Sequence, residues 1–349
     1  MDFLVKRDNL HERKFVEEPV PELEPGQALL EVDAFALTSN NVTYGVLGDA
    51  LSYWSLFPAP DGWGRIPVWG FADVAASTHD GLPAGTRVFG YLPPSTHVVV
   101  SPGAADEQRF VDASPHRAEL AAVYNTYVRV DADPAYDARH EDQQMLLRPL
   151  FGTGHLIVAD LADNEFFGAD AVLVSSASSK TALGTAFLLS RRGGLDVIGL
   201  TSPKRVGFVE GLGVYDRVAP YRKVGSLARE RAVYVDISGD PEVRAAVHHH
   251  YGETLVHSMM VGATHWDRAS MAPAELPGPQ PAFFFAPDVL KRGRGAGGAE
   301  SLRAAFEWAA GWLRVVHGRG PDSVERAYLE LLDGDIDPST GHVLSLRAS

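Results

Sequence analysis

The chain is predicted to be α/β: an open, doubly wound parallel sheet joined to a smaller β-rich, barrel-like domain. Three observations carry this reading. From about residue 170 onward, apolar strand-type runs alternate with helix-compatible segments, the pattern of a parallel sheet with helical crossovers. Before residue 120 the chain holds short β-type runs between Pro- and Gly-containing turns, the pattern of an antiparallel or barrel-like unit. The length of 349 residues exceeds what one hydrophobic core ordinarily serves, so two domains are expected. Residues 1–125 form the first, with 320–349 returning to it, and residues 126–319 form the second.

In the first domain, Gln27-Ala-Leu-Leu-Glu-Val-Asp33 alternates in part and follows the turn Glu24-Pro-Gly26. Arg87-Val-Phe-Gly-Tyr-Leu92 follows Leu82-Pro-Ala-Gly85, and His97-Val-Val-Val100 is a further strand. Residues 117–130 read as a helix leading out of this domain, with Tyr124 and Tyr127 at i, i+3 spacing around Asn125. The polar stretch 131–143 reads as a surface loop. The parallel sheet is assigned strands at 171–176, 196–201, 217–219, 232–237, 254–262 and 282–286. Lys291-Arg-Gly-Arg-Gly-Ala-Gly-Gly298 is a flexible break, read as a solvated linker in preference to a phosphate loop. Helices fill 299–332, and 334–346 reads as a hairpin or edge strand returning to the first domain.

Bulk properties narrow the function classes. The formal net charge of -14 argues against nucleic acid or anionic membrane as a partner. No apolar run approaches 18 residues, and the first residues lack the apolar core of a signal peptide. The chain has no cysteine, which excludes disulfides and thiolate chemistry. A cytoplasmic location is the expectation.

The most informative stretch is Ala171-Val-Leu-Val-Ser-Ser-Ala-Ser-Ser-Lys-Thr-Ala-Leu-Gly-Thr-Ala-Phe-Leu-Leu189. An apolar run stops in small polar residues and passes directly into a helix. A second buried strand, Asp196-Val-Ile-Gly-Leu-Thr201, follows. A turn in this place suits a dinucleotide pyrophosphate, because amide hydrogens at the helix start point at the phosphates and small side chains let the backbone approach. Ser176, Ser178, Ser179, Lys180 and Thr181 are the candidates there. The glycines of the G-x-G-x-x-G fingerprint are missing: aligning Ala182 with its third position puts Ala177 and Ser179 at the first two. Lys180 reads equally as a phosphate ligand or a solvated turn residue.

Thr201 ends the second strand where an NAD site places an acidic residue for the ribose hydroxyls; Ser202, Pro203, Lys204 and Arg205 follow instead. Lysine and arginine attract a 2′-phosphate that a carboxylate would repel. NADP(H) is therefore the expected cofactor, and Lys204 and Arg205 as a solvated first turn is the competing reading. Asp236, Gly262, Phe284 and Phe285 close later strands and are expected to line the nicotinamide half, with core packing as the alternative for each.

Several segments together resemble the medium-chain dehydrogenase/reductase superfamily. Pro67-Val-Trp-Gly-Phe-Ala-Asp-Val74, followed by Gly81-Leu-Pro-Ala-Gly-Thr-Arg-Val-Phe-Gly90, is similar to that family's "P-x-x-G-x-x-x-x-G-x-V … G-D-R-V" region. Ser39-Asn-Asn-Val-Thr-Tyr-Gly45 resembles the early cofactor-proximal segment of its quinone oxidoreductases and enoyl reductases. Gly152-Thr-Gly-His155 falls where those enzymes carry a Leu-Thr-Ala helix, and Gly211-Leu-Gly-Val-Tyr-Asp-Arg-Val-Ala-Pro-Tyr221 looks like their "lysine-helix, G-A-D, strand, Tyr" segment. The likeness spans nearly the whole chain. It implies a GroES-like first domain, a Rossmann second domain, an adenosine-phosphate contact at Tyr221, and a homodimer built by extending the nucleotide-domain sheet. The zinc sites of the superfamily's alcohol dehydrogenases need Cys ligands, so neither can exist here in its usual form.

Hydride transfer without a metal calls for an electron-poor acceptor, a quinone or an α,β-unsaturated carbonyl. By the resemblance, Tyr44 stands beside the nicotinamide as proton donor, with Asn40 and Asn41 orienting carboxamide or substrate; an aromatic lid is the other reading of Tyr44. Tyr53, Trp54, Trp63 and Trp69 are either a substrate wall or core. Thr264-His-Trp266 is a candidate for the active site or a subunit contact. His248-His-His250 cannot converge on one ion, because consecutive helical positions point apart. A 2-enoyl thioester reductase and a non-catalytic NADP(H)-binding sensor are the alternatives.

Overall fold

The computed structural model describes residues 1–261, 275–291, 298–334 and 336–347. Two compact units result: Met1–Leu146 with Ala309–Ser349, and Leu147–Trp308.

The first unit begins with β1 (Asp2–Lys6), β2 (Asn9–Val16), β3 (Ala28–Leu37), α1 (Ser39–Val46), β4 (Trp63–Gly64), β5 (Val68–Ser77), β6 (Arg87–Leu92), β7 (His97–Val100), β8 (Pro102–Ala105) and β9 (Arg109–Asp112). It continues through α2 (Ala122–Asn125), β10 (Thr126–Arg129) and the start of α3 (Glu141–Asp163). Its larger sheet runs β17-β18-β3-β5-β6-β10-β9-β8, with β7 also on β3, where β17 (Arg314–Arg319) and β18 (Thr340–Ser345) flank α9 (Pro321–Leu332). Arg87 of β6 ties this sheet to α3 by meeting Asp33, Asp73 and Glu141.

The second unit contains β11 (Ala171–Val174), α4 (Lys180–Arg192), β12 (Asp196–Thr201), α5 (Val206–Gly211), β13 (Arg217–Pro220), β14 (Ala232–Asp236), α6 (Pro241–Tyr251), β15 (Leu255–Met260), β16 (Ala282–Phe283), α7 (Ala286–Lys291) and most of α8 (Ala299–Ala310). Its strands are parallel in the order β13-β12-β11-β14-β15-β16. That is the doubly wound 3-2-1-4-5-6 order, with the reversal at β11. All four residues of β11 are buried, as a strand covered on both faces must be.

The structure corrects four sequence expectations. Residues 117–130 are not one helix: a 3-10 turn at Pro115–Arg117 and the short α2 give way to β10. Tyr127 decides this, since its ring stacks on Phe110 at 4.8 Å and its hydroxyl donates to the Tyr91 carbonyl at 2.8 Å. The stretch 131–143 contains 3-10 turns and the first residues of α3. Between the two C-terminal helices lies a strand, β17. Finally, β18 is no sheet edge: it pairs with β17 on one side and β3 on the other.

α3 is long and apolar enough to cross a membrane by length and composition, a property the linear reading of apolar runs passed over. Its apolar window is instead 61% buried within the protein.

α3 and α4 approach closely at two glycines. A Cβ on Gly154 would lie 2.8 Å from the Thr185 amide nitrogen, and one on Gly184 would lie 3.0 Å from the Phe151 ring. An ordinary helical Gly→Ala change gains about 1 kcal/mol of propensity. Overpacking against backbone costs about 1–3 kcal/mol or more. Gly154→Ala is therefore expected to lower the midpoint of thermal unfolding, and calorimetry checks the sign.

Candidate functional site

The carboxyl ends of the parallel strands gather most of the residues the sequence singled out. β11 ends at Val174, and Ser176 follows with φ 50°, a left-handed conformation that costs a non-glycine residue roughly 1–2 kcal/mol. Two contacts hold it. Its amide donates to the Tyr221 hydroxyl at 3.0 Å, and its carbonyl accepts from the Ser179 amide at 2.7 Å. The next residue, Ala177, is fully buried and donates its amide to the Leu200 carbonyl at 3.0 Å. Its methyl has space because residue 199 is glycine: a Cβ there would come within 3.0 Å of both the Ala177 methyl and the Tyr215 ring. Tyr215 completes the clamp by donating to the Ala177 carbonyl at 3.0 Å.

Ser179 is the N-cap of α4, its Oγ accepting from the Ala182 amide at 3.3 Å. Among the described residues, neither the Ser178 nor the Thr181 amide has a protein partner. These amides and the positive end of a 13-residue helix make a cradle for an anion, so the turn fits a pyrophosphate despite lacking glycines.

Neighbouring strand ends complete this edge. Thr201 is buried and pairs with Pro220, the residue before Tyr221. Ser202 is half-buried, Lys204 is exposed and Arg205 half-buried, the last two in the 3-10 turn Pro203–Arg205. Burial raises the Tyr221 phenol above its ordinary pKa while its bond to Ser176 opposes the rise, so it stays neutral. Phe284 is buried and donates its amide to Met260, whereas Phe285 is half-buried and stacks on Phe283. Gly262 and the segment 264–266 lie outside the described residues, as does most of 291–298.

Asp236 does something the sequence did not suggest. It is fully buried, and Oδ1 accepts from Ser175 Oγ at 3.0 Å, Ser238 Oγ at 2.8 Å and the Gly239 amide at 3.0 Å. Oδ2 accepts from Arg244 Nε at 2.8 Å. Ser175 Oγ in turn accepts from the Ile237 and Ser238 amides, both at 3.0 Å. The carboxylate thus fastens β11, β14 and α6 together, and its oxygens are occupied by the protein.

In the first unit, Tyr44 of α1 is 7% exposed and sits in a cluster of rings. Its centroid is 4.7 Å from Tyr53 and 5.5 Å from Tyr91. Tyr91 stacks on Tyr124 at 5.0 Å, Trp69 lies 4.7 Å from Tyr91, and the Tyr53 and Tyr124 hydroxyls meet at 3.0 Å. Burial raises the Tyr44 phenol, with Trp69, Tyr91 and Asn40 close enough to moderate the effect. Asn41, expected beside the substrate, is buried in a structural role. Its Oδ1 accepts from the Thr38 amide at 2.7 Å, and its Nδ2 donates to the Pro67 carbonyl at 2.8 Å.

Arg117 fixes this cluster from behind. It is 1% exposed, pairs with Asp112, and donates to the carbonyls of Leu56 and Tyr124. Trp54 is buried against Gly48 and Gly64, and Lys14 sits over the half-buried Trp63 at 4.0 Å. Both are packing residues. In the histidine triplet, His248 is buried between the Pro277 carbonyl and Ser258 Oγ, while His249 is exposed. Sequence reasoning missed Gly199, Ser175, Tyr91 and Arg244. Only Gly199 carried a local signal, since a glycine inside a buried strand marks a close approach.

The fold, a β-rich unit and a unit built on a doubly wound parallel sheet, is shared with solved oxidoreductases. CurA from Vibrio vulnificus, solved in complex with NADPH, superposes with a TM-score of 0.62 at 15% identity, covering 97% of this chain and 95% of that one. E. coli K-12 YhdH with bound NADPH gives 0.58 at 13% identity over 99% and 100%. The quinone oxidoreductase from Coxiella burnetii gives 0.55 at 13% over 99% of both chains. Residues 35–337 match the family described as "Protein of unknown function (DUF2855)", and the chain belongs to it. No curated protein matches the sequence.

Removing one member of a buried ion pair costs about 3–5 kcal/mol. Arg244→Met should therefore lower the unfolding free energy by about that much, read from urea denaturation.

Proposed function

We propose that the protein is an NADPH-dependent oxidoreductase that reduces quinones or α,β-unsaturated carbonyls without zinc. The observation that carries the reading is the turn after β11, the strand at the reversal of a doubly wound sheet: at the start of α4 two amides have no protein partner among the described residues. The fold shared with CurA and YhdH, both solved with NADPH, supports it.

NADPH, when bound, supplies the hydride. Ser178 and Thr181 hold the pyrophosphate through their amides, and Ser179 keeps the helix start in place. Lys204 and Arg205 meet the 2′-phosphate with charge-assisted hydrogen bonds. Tyr221 sets the Ser176 amide and borders the adenosine phosphate. Tyr44, kept neutral by burial, gives a proton to the reduced substrate. Asn40 orients the acceptor. The exposed Phe283 on β16, at one end of the described parallel sheet, supports homodimer formation along that edge.

Two measurements test this reading. The double variant Lys204→Ala with Arg205→Ala is expected to weaken NADPH binding about tenfold to a hundredfold and leave NADH unchanged. Calorimetric titration that detects neither coenzyme in the wild type would overturn the proposal. Tyr44→Phe should cut turnover of benzalacetone by roughly a hundredfold without altering the dissociation constant for NADPH, as followed by NADPH fluorescence.

A further inference from the structure

We propose that Trp69 and Tyr91 are positioning residues for Tyr44, donating hydrogen bonds to its oxygen as that oxygen gives up its proton. The inference rests on the reading of Tyr44 as proton donor and adds the groups that ease the donation.

The sheet register brings the two groups together. Trp69 of β5 and Tyr91 of β6 are directly paired, so their side chains share one face of the sheet, with ring centroids 4.7 Å apart. Tyr44 meets that face from α1, its ring edge to face with Tyr91 at 5.5 Å and 83°. The bond from Asn41 Nδ2 to the Pro67 carbonyl, 2.8 Å long, pins α1 to the chain two residues before Trp69. Asn40, four residues before Tyr44, lies on the same side of α1 and is the third polar group close to the phenol oxygen.

Both donors are spare. An indole nitrogen can only donate, and Trp69 Nε1 and the Tyr91 hydroxyl are buried without a hydrogen-bond partner among the described residues. Burial pushes the Tyr91 phenol far above its ordinary pKa, so it keeps its proton and stays a donor. Both groups lie close enough to the Tyr44 oxygen to favour its phenolate against the effect of burial. Neither atom meets solvent, so a substrate cannot touch them, and they act through Tyr44. A contact unmade at rest that closes on a developing negative charge is stronger in the transition state than in the ground state, which lowers the barrier. Packing alone calls for phenylalanine at position 91, which fills the same stack without burying a partnerless hydroxyl.

The step balances. The Tyr44 O–H bond breaks as its proton bonds to the enolate carbon or quinolate oxygen of the reduced substrate, and the electron pair stays on the Tyr44 oxygen. Trp69 and Tyr91 donate hydrogen bonds to that phenolate and keep their own protons. One proton from solvent restores the phenol, one has left on the product, and the two donors gain and lose no electrons.

With 3,5-difluorotyrosine incorporated at position 44, fluorine NMR follows the titration of that phenol directly. Tyr91→Phe and Trp69→Phe each remove one donor to the phenolate, so each is expected to raise the titration midpoint by about one pH unit. With the natural tyrosine at position 44, NADPH and benzalacetone, each variant should lower kcat about threefold to tenfold, short of the ~10²-fold loss from Tyr44→Phe. KM and the dissociation constant for NADPH should not change. The more acidic difluorotyrosine should restore most of the kcat lost in Tyr91→Phe, which a packing defect would not allow. Tyr91→Phe keeps the ring and deletes only a partnerless hydroxyl, so it decides alone if Trp69→Phe fails to fold. If Tyr44→Phe is slow while the fluorine titration or kcat of Tyr91→Phe matches the wild type, the inference is wrong and the donor stands. If Tyr44→Phe turns over like the wild type, or the wild type does not turn over, the donor reading falls and the inference with it.

Discussion

A single buried carboxylate organises the carboxyl edge of the parallel sheet. Asp236 has no contact with water and is tolerable only because four donors saturate its oxygens. Satisfying them fixes Ser175 at the exit of β11, the Ser238–Gly239 turn after β14 and the first turns of α6. The turn between β11 and α4 continues at the residue after Ser175. Its starting point is set by charge saturation at the neighbouring strand, and the flexibility of the turn itself plays no part. With Ser175 fixed, the Tyr221 hydroxyl and the Ser179 amide hold Ser176 in its left-handed conformation.

The same logic accounts for the absent glycines. A glycine-rich turn gains closeness by omitting side chains. Here the omission is moved across the sheet to Gly199, which leaves space for the Ala177 methyl, while the Tyr215 and Tyr221 hydroxyls take up backbone groups that the turn leaves over. The helix glycines Gly154 and Gly184 do likewise for α3 and α4. Close approach is preserved, and the residues that permit it lie outside the motif where a pattern would look for them.

The parallel sheet was legible because its strands are covered on both faces: Ala171–Val174 is apolar and buried throughout, and Asp196–Thr201 is buried at every residue after the first. The failures share one cause, which is tertiary context. Tyr124 and Tyr127 have helical spacing, yet Tyr127 is claimed by Phe110 and Tyr91 across the sheet, and a strand results. β17 is six residues between helices, with no fully buried position to betray it. For Asp236 the sequence left ligand lining and core packing both open; its engagement with Arg244, eight residues on, depends on how α6 folds back. The tyrosine cluster draws on positions 44, 53, 91 and 124, which no local window contains.

The interior position of β18 sets an order of events during synthesis. Every strand of the parallel sheet precedes residue 284, so that unit has its β-structure before the C-terminal tail emerges. The larger sheet of the first unit must wait for residues 340–345 to take their place between β17 and β3. Until then the β3 edge has no partner along Phe35–Leu37, and open strand edges invite pairing with foreign chains. β3, made before every described strand of the parallel sheet, is thus completed after all of them, and its edge stays open while the chain between β3 and β18 is synthesised.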